Sequence, residues 1–504
     1  MDVLQHLISG FAIALQFNNL LFCFLGTLLG TVVGLLPGIG PIGTMSILLP
    51  LTFHMSPITS IIMLAGIYYG AMYGGTITSV LINIPGEAAS VVTCLDGYQM
   101  AKQGRAGPAL GIAAIGSFIA GTLGLVGLMF FAEPLSDLGL RFGPPEYFSV
   151  VLFGLTLVVY LTHGSALKGL VMTVLGLILS CVGLDNFSAT PRMTFQTMYL
   201  WDGIDLVPLA MGLFGVSEIF LNIEKGISLD VLTDKIGNIY PSAQDWIEAK
   251  WALVRGTIIG FFLGILPGGG PVVASFVCYS VEKRVSKDPE RFGKGAIEGV
   301  AGPESANNSA VSGAFIPFLT LGIPPNVTMA MLYGAFLIHG LAPGPFLITE
   351  HPDVFWGLIS SMYVGNGMLL ILNLPLIPLW VRILKVRYNI LFPIILLFCI
   401  IGAYSVRSSV LDVFVMMLFG IVGYLLGKFG YEPAPLMLAY VLGPMFEKNL
   451  RQSLLMSQGD FSIFFLRPIS AVAFSLAILF FSTSFYFFFY RKKKLPLVSG
   501  ENDH

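Results

Sequence analysis

Residues 26–41 read GTLLGTVVGLLPGIGP, and residues 256–271 read GTIIGFFLGILPGGGP. The two stretches align without a gap. Gly26, Gly30, Gly34 and Gly38 recur as Gly256, Gly260, Gly264 and Gly268, and Pro37, Gly40 and Pro41 recur as Pro267, Gly270 and Pro271. Agreement at so many rare positions marks an internal duplication. Glycines four apart share one helix face and let a second backbone approach closely. The LPGxGP end differs in kind. Proline removes an amide donor and glycine permits backbone that helices avoid. At membrane depth such backbone is tolerated only where protein buries it or a wet cavity solvates it. The stretch is therefore a helix break or a re-entrant tip, and it either lines a substrate path or serves as a structural kink.

The rest of the sequence sets the solvent. Of 504 residues, 55% are apolar and 11% charged, against about 25% charged in soluble domains. The expected fold is an all-α polytopic membrane protein. A span needs roughly 20 apolar residues, which leaves room for about 10–12 membrane segments, re-entrant or broken helices included. A formal net charge of −2 suggests no nucleic-acid partner. Cys23, Cys94, Cys181, Cys278 and Cys399 are scattered without metal-ligand spacing, so neither a metal site nor a disulfide framework is expected. The start, MDVLQHLISGF, lacks a basic n-region and reads as an uncleaved first segment. The last apolar run, about 468–490, ends in FYFFFY and then Arg491–Lys494, which places the C-terminus in the cytoplasm.

A second pair of segments follows the two copies: YGGTITSVLINIPGEAAS at 73–90 and NNSAVSGAFIPFLTLGIPPNVT at 307–328. Each ends in Ile-Pro, at Ile84-Pro85 and Ile323-Pro324. Two broken segments in corresponding places of two halves point to a carrier's binding site. Flanking charges address orientation. Lys283, Arg284, Lys287, Arg291 and Lys294 follow copy two, whereas TFHMSPIT after copy one has no Lys or Arg. The next loop reverses the bias, with Lys102 and Arg105 in the first half and none in LAPGPFLITEHPD. By the positive-inside rule the two repeats are inverted. The boundaries expected are a first repeat over 1–221, a polar loop over 222–250, a second repeat over 251–467, and a last helix with a basic tail over 468–504.

The chain resembles the large membrane subunit of the tripartite tricarboxylate transporters, the TctA family. The resemblance rests on LLPGIGP at 35–41, YYGAMYGGTITSVLINIPGEAASVVTCLDGYQMAKQGRAGPALG at 68–111, GPESANNSAVSGAFIPFLTLGIP at 302–324 and LIHGLAPGP at 337–345. It implies a small four-helix membrane subunit and a periplasmic solute-binding protein as partners. It also implies import of citrate-like di- and tricarboxylates across the bacterial inner membrane, driven by an ion gradient. Consistently, the sequence has no G-x-x-x-x-G-K-[ST] phosphate loop. Pro325 stands where the family pattern leads one to expect glycine, whereas the first copy keeps Gly86.

A carboxylate needs hydrogen-bond donors and positive potential, which half-helix N-termini supply. The candidate substrate-binding residues are Pro37, Gly38, Gly40, Thr76, Thr78, Ser79, Asn83, Pro85 and Gly86 in the first half. Their counterparts are Pro267, Gly268, Gly270, Asn307, Asn308, Ser309, Thr320, Gly322, Pro324, Asn326 and Thr328. Each could equally be a small residue at a helix interface. Glu304 and Asn308 are the candidates for coupling to Na+ or H+, with the first turn of a helix as the other reading of Glu304. Glu87 and Asp96 pose the same choice and read rather as loop acids. Lys102, Arg105 and Lys294 read as topology-setting charges. No resident cofactor is expected. Ser165 follows His163-Gly164, but adjacency does not make a nucleophile–base pair, so no enzyme is expected. An ion or solute channel, or an intramembrane enzyme, are the competing classes.

Overall fold

The computed structural model describes residues 3–36, 40–161, 165–185, 187–225, 238–383 and 388–491. Pro37, Gly38, His163 and the tail beyond Arg491 lie outside the described residues. Among the described residues the protein is mostly helical, with one pair of two-residue strands, Gly183–Leu184 against Pro191–Arg192. Among the described residues, seven helices are long and apolar enough to cross a membrane: Phe17–Leu35, Pro57–Ile82, Ala106–Gly139, Pro144–Leu161, Leu206–Glu224, Pro352–Asn373 and Val410–Lys428. Shorter apolar helices, among them Ala166–Ser180 and Val327–Ile338, fill in between. The polar loop expected over 222–250 is partly helical, because a helix already starts at Ala243. Ser242 and Asp245 form a capping box there, each side chain bonding the other's backbone N–H.

The duplicated units fold alike. Helix Phe17–Leu35 ends at Leu36 (φ −98°, ψ 104°), and Ala243–Ile265 ends at Leu266 (φ −77°, ψ 130°). Both residues precede proline, whose ring disfavours helical backbone just before it. A new helix then begins at Gly40 and at Gly270, each with φ +60°, a conformation that suits glycine.

The glycine ridges have partners. A Cβ on Gly26, Gly30 or Gly34 would overlap the carbonyl oxygens of Met63, Ile67 and Ala71 in helix Pro57–Ile82. A Cβ on Gly256, Gly260 or Gly264 would overlap those of Gly302, Ala306 and Ala310 in helix Glu298–Leu321. Each half thus contains a helix pair in backbone contact. Each long partner helix then ends in a left-handed residue, Asn83 (φ 56°, ψ 27°) or Gly322 (φ 70°, ψ 21°), directly before Ile-Pro. The two long helices form the centre of the molecule. All of the apolar window of Pro57–Ile82 is buried, and so is nearly every residue of Glu298–Leu321.

Loops of like charge lie together. Gln103 Nε2 donates to the Lys294 carbonyl at 2.8 Å, and Arg105 pairs with Asp245, which joins the basic loops of the two halves. Asp96 accepts the backbone N–H groups of Gly293, Gly295 and Ala296, each at 2.8 Å, and the Tyr279 hydroxyl at 2.9 Å. It anchors the second-half loop from inside helix Val91–Lys102, where it is fully buried, which corrects its reading as a loop acid. Ile58, within TFHMSPIT, packs near Gly357, one turn past LAPGPFLITEHPD. So the two stretches without Lys or Arg are neighbours as well.

Away from the centre, helices Pro144–Leu161, Ala166–Ser180, Pro433–Met456 and Pro468–Arg491 pack on one another. Large apolar side chains such as Phe130, Phe414 and Leu425 stay exposed, as a lipid-facing surface requires. A polar knot closes the end of this group. Asp185 accepts the Phe187 N–H at 2.8 Å and Arg451 Nη1 at 2.9 Å, while Arg192 Nη1 donates to Glu447 at 2.6 Å. The Phe187 N–H and the Arg451 guanidinium hold the Asp185 carboxyl well below the usual carboxylate range. All five cysteines are free thiols.

Candidate functional site

The site lies where the two central helices meet. Glu304 lies in the second turn of helix Glu298–Leu321, not in its first, and is 1% exposed. Its Oε2 accepts the Thr76 hydroxyl at 2.7 Å and its Oε1 accepts the Thr93 hydroxyl at 2.5 Å. Both donors come from the first half, so this acid of one half is solvated by hydroxyls of the other. One turn on, Asn308 Nδ2 donates to Ser117 Oγ at 2.8 Å and to the Glu304 carbonyl at 3.1 Å.

Glu87 follows the break at Asn83–Gly86. One carboxylate oxygen, Oε2, caps the turn Ala88–Ser90 by accepting the Ala89 N–H at 2.8 Å. Its other oxygen, Oε1, is buried and has no hydrogen-bond partner. The Asn307 side chain bears on this carboxylate, and Glu87 is within electrostatic reach of Glu304 and of Tyr68. The Asn307 amide, 0% exposed, reaches that carboxylate only outside ordinary hydrogen-bond geometry. No ion pair reaches Glu87 or Glu304 among the described residues. Two buried carboxylates without a cation are costly. A small cavity of about 10 Å³, lined by Tyr73, Thr76, Ser117 and Asn373 among others, lies beside Thr76 at the Glu304 end of this region; it holds no more than about one water.

The second glycine-proline tip joins this region from the other end. Gly268 N–H donates to the Pro325 carbonyl at 2.7 Å. Asn326 caps helix Val327–Ile338 through the Met329 N–H at 3.0 Å, and its Nδ2 donates to Tyr68 Oη at 3.1 Å. Gly270 faces the Asn326 side chain. Thus Asn326, Tyr68, Glu87, Asn307 and Glu304 form a continuous polar seam between the halves.

Other residues chosen from the sequence have local duties. Thr78 and Thr320 donate back to the carbonyls of Gly75 (3.0 Å) and Ile316 (2.7 Å) in their own helices. Ser309 donates to the Thr257 carbonyl at 2.8 Å, across the glycine-packed pair. Ser79 donates to the Ser90 carbonyl at 3.0 Å and so holds the Glu87 turn in place. A Cβ on Gly86 would overlap the Gly34 carbonyl, and Pro267 packs on Gly154. Asn83 is exposed at its cap, Pro85 and Pro324 follow the two caps, and Thr328 is buried in the first turn after Asn326.

Thr93, Ser117 and Tyr68 belong to the seam and were not singled out from the sequence. Each sits in an ordinary apolar or mixed stretch, and only pairing across the two halves brings it to the acid. Tyr73 and Asn366 form a neighbouring node, Tyr73 Oη donating to Asn366 Oδ1 at 2.6 Å.

A helical membrane protein with a buried, acid-bearing polar seam between two similarly built helix pairs has the construction of a transport protein. The chain belongs to the tripartite tricarboxylate transporter TctA family, whose model matches residues 20–438. It is 52% identical over 471 residues to a protein of Agrobacterium vitis described as "Uncharacterized 52.8 kDa protein in TAR-I ttuC' 3'region", covering 94% of each chain. It is also 53% identical over 220 residues to "Uncharacterized protein in TAR-II ttuC' 3'region" of the same organism, covering 44% of this chain and 91% of that one. No solved structure matches.

Proposed function

We propose that this chain is the large transport subunit of an ion-gradient-driven importer of citrate-like di- and tricarboxylates. It sits in the bacterial inner membrane with its C-terminus in the cytoplasm. It works with a small four-helix membrane subunit and a periplasmic solute-binding protein. The observation that carries the reading is the seam itself, where polar atoms with no partner lie buried between two like-built halves. The juxtaposed basic loops, and the juxtaposed loops without Lys or Arg, support inverted repeats and hence alternating access about a central site. In this reading the tips at 37–40 and 267–270, the segments 76–86 and 307–328, and the N-terminus of helix Val327–Ile338 take the substrate carboxylates. Glu304 and Asn308 take part in coupling to Na+ or H+, and the chain is not an enzyme.

The test is reconstitution of the chain with its small membrane subunit in vesicles, with the binding protein supplied outside. Saturable uptake of a carboxylate that requires an imposed ion gradient supports the reading. Unsaturable flux, or turnover of substrate without transport, overturns it.

A further inference from the structure

Helix Pro352–Asn373 carries Asn366 and Asn373 two turns apart, and therefore on one face. Asn366 bonds directly to both neighbouring helices. Its Oδ1 accepts the Tyr73 hydroxyl at 2.6 Å from helix Pro57–Ile82. Its Nδ2 donates to the Phe118 carbonyl and to Thr122 Oγ1 in helix Ala106–Gly139, each at 2.9 Å. Asn373 faces the same two helices, yet its amide bonds to neither. Its Nδ2 turns back to the Leu369 carbonyl at 2.9 Å, and its Oδ1 is buried without a donor. The small cavity beside Thr76 lies between Asn373 and those helices. Tyr73 and Thr76 line it from one helix and Ser117 from the other. Its volume, about 10 Å³, is about that of one water, which needs two to four polar partners. The walls supply them as oxygens. Thr76 gives its hydrogen to Glu304, Tyr73 gives its own to Asn366, and Ser117 Oγ accepts from Asn308. What the cavity calls for is a small neutral donor of two hydrogens.

We propose that one resident water fills this cavity, donating one hydrogen to Asn373 Oδ1 and the other to the hydroxyl oxygen of Thr76 or Ser117, and that Asn373 is thereby a positioning residue for Glu304. The water does for Asn373 what direct contact does for Asn366. It also acts on the acid. Thr76 already donates to Glu304, and a hydrogen received on its oxygen strengthens that bond. Ser117 holds Asn308, one turn from Glu304. Helix Pro352–Asn373 belongs to neither glycine-packed pair, so the water ties a third party to the acid that the two halves share. The assignment goes beyond the transport reading and does not depend on it.

The experiment is a cryo-EM map of the purified full chain in nanodiscs, sharp enough to show ordered water elsewhere in the core. Thermal unfolding and infrared spectra are taken on the same preparations. Wild type is expected to show density within hydrogen-bond distance of Asn373 Oδ1 and of one of the two hydroxyls. Asn373→Leu keeps the size of the side chain and removes the oxygen. It should lose the density and unfold at a lower temperature than wild type. Asn373→Gln reaches into the water's place with an amide of its own, and should lose the density while keeping the wild-type midpoint. A dry cavity predicts the opposite sign for Asn373→Leu, because removing an unpaired buried oxygen raises the midpoint. The infrared carboxyl band of Glu304, identified by its loss in Glu304→Gln, should shift in Asn373→Leu and return in Asn373→Gln. A map that resolves other buried waters and shows none here overturns the proposal, and it does so even where Asn373→Leu fails to fold. So does a raised midpoint in Asn373→Leu. An unmoved Glu304 band in folded Asn373→Leu overturns the positioning role.

Discussion

Thr76 donates its hydroxyl hydrogen to Glu304 Oε2 at 2.7 Å, from the central helix of one half to that of the other. With Thr93 on Oε1, the carboxylate is solvated wholly by side chains that lie far from it in the sequence. The two halves therefore share one acid.

Thr76→Val is expected to leave a buried carboxylate oxygen short of a donor. The loss is about 1–3 kcal/mol, read as a lower unfolding midpoint of the purified protein. Glu304→Gln keeps the size and one acceptor. It should fold while gradient-driven uptake falls by about tenfold or more. Normal uptake in Glu304→Gln would remove the acid from the coupling mechanism.

The glycine seams predict a directional contrast. Gly260→Ala puts a methyl group against the Ala306 carbonyl, and backbone cannot step aside. Destabilisation of about 1–3 kcal/mol follows. Gly367→Ala, in helix Pro352–Asn373 with open space around it, should instead stabilise by roughly 0.5–1 kcal/mol. Thermal melts of both variants in one detergent test the pair.

The two helix breaks should respond differently to exchange. Gly86→Pro sets a ring against the Gly34 carbonyl and is expected to abolish accumulation of folded protein. Pro325→Gly retains the carbonyl that Gly268 uses. It should cost only about 0.4–1 kcal/mol through the unfolded chain. Yields of monodisperse protein, compared side by side, decide the matter.

Acid should loosen the hairpin at 183–192. The Asp185 carboxyl titrates below its unfolded value because the Phe187 N–H and Arg451 favour its charged form. A depressed pKa stabilises the fold at all pH above the unfolded value, about 3.9, and that contribution disappears as pH falls through the folded one. Protection of the described amides in 183–203, taken as the intrinsic exchange rate over the observed one at the same pH, should thus be high at neutral pH and fall below about pH 3.9. Asp185→Asn should exchange fast already at neutral pH.

The sequence carried the fold's repeating parts because they depend on local chemistry. A proline after four-spaced glycines dictates a helix, its packing face and its end, and Leu36 and Leu266 both leave the helix where expected. Glu304 was visible as an acid set among small and amide residues in GPESANN. Glu87 read as a loop acid because IPGE has the composition of a turn. Its burial comes from Gly75 in its own half together with helices Gly270–Val285 and Glu298–Leu321 of the other, packing that sequence spacing does not record. Thr93 and Ser117 were hidden for the same reason, since a hydroxyl on a helix costs little and advertises nothing until its partner is known.

The left-handed residue before each Ile-Pro differs between the halves, being Asn83 in one and Gly322 in the other. An asparagine in that conformation holds a position that most residues resist, and it stays exposed. Gly322 is walled in, since any side chain there would strike the Pro343 carbonyl. One joint of the duplicated frame is therefore open to chemical drift and the other is closed to it. A lineage of such proteins could remodel its first half's mouth for new cargo while its second half stayed fixed as the counterpart.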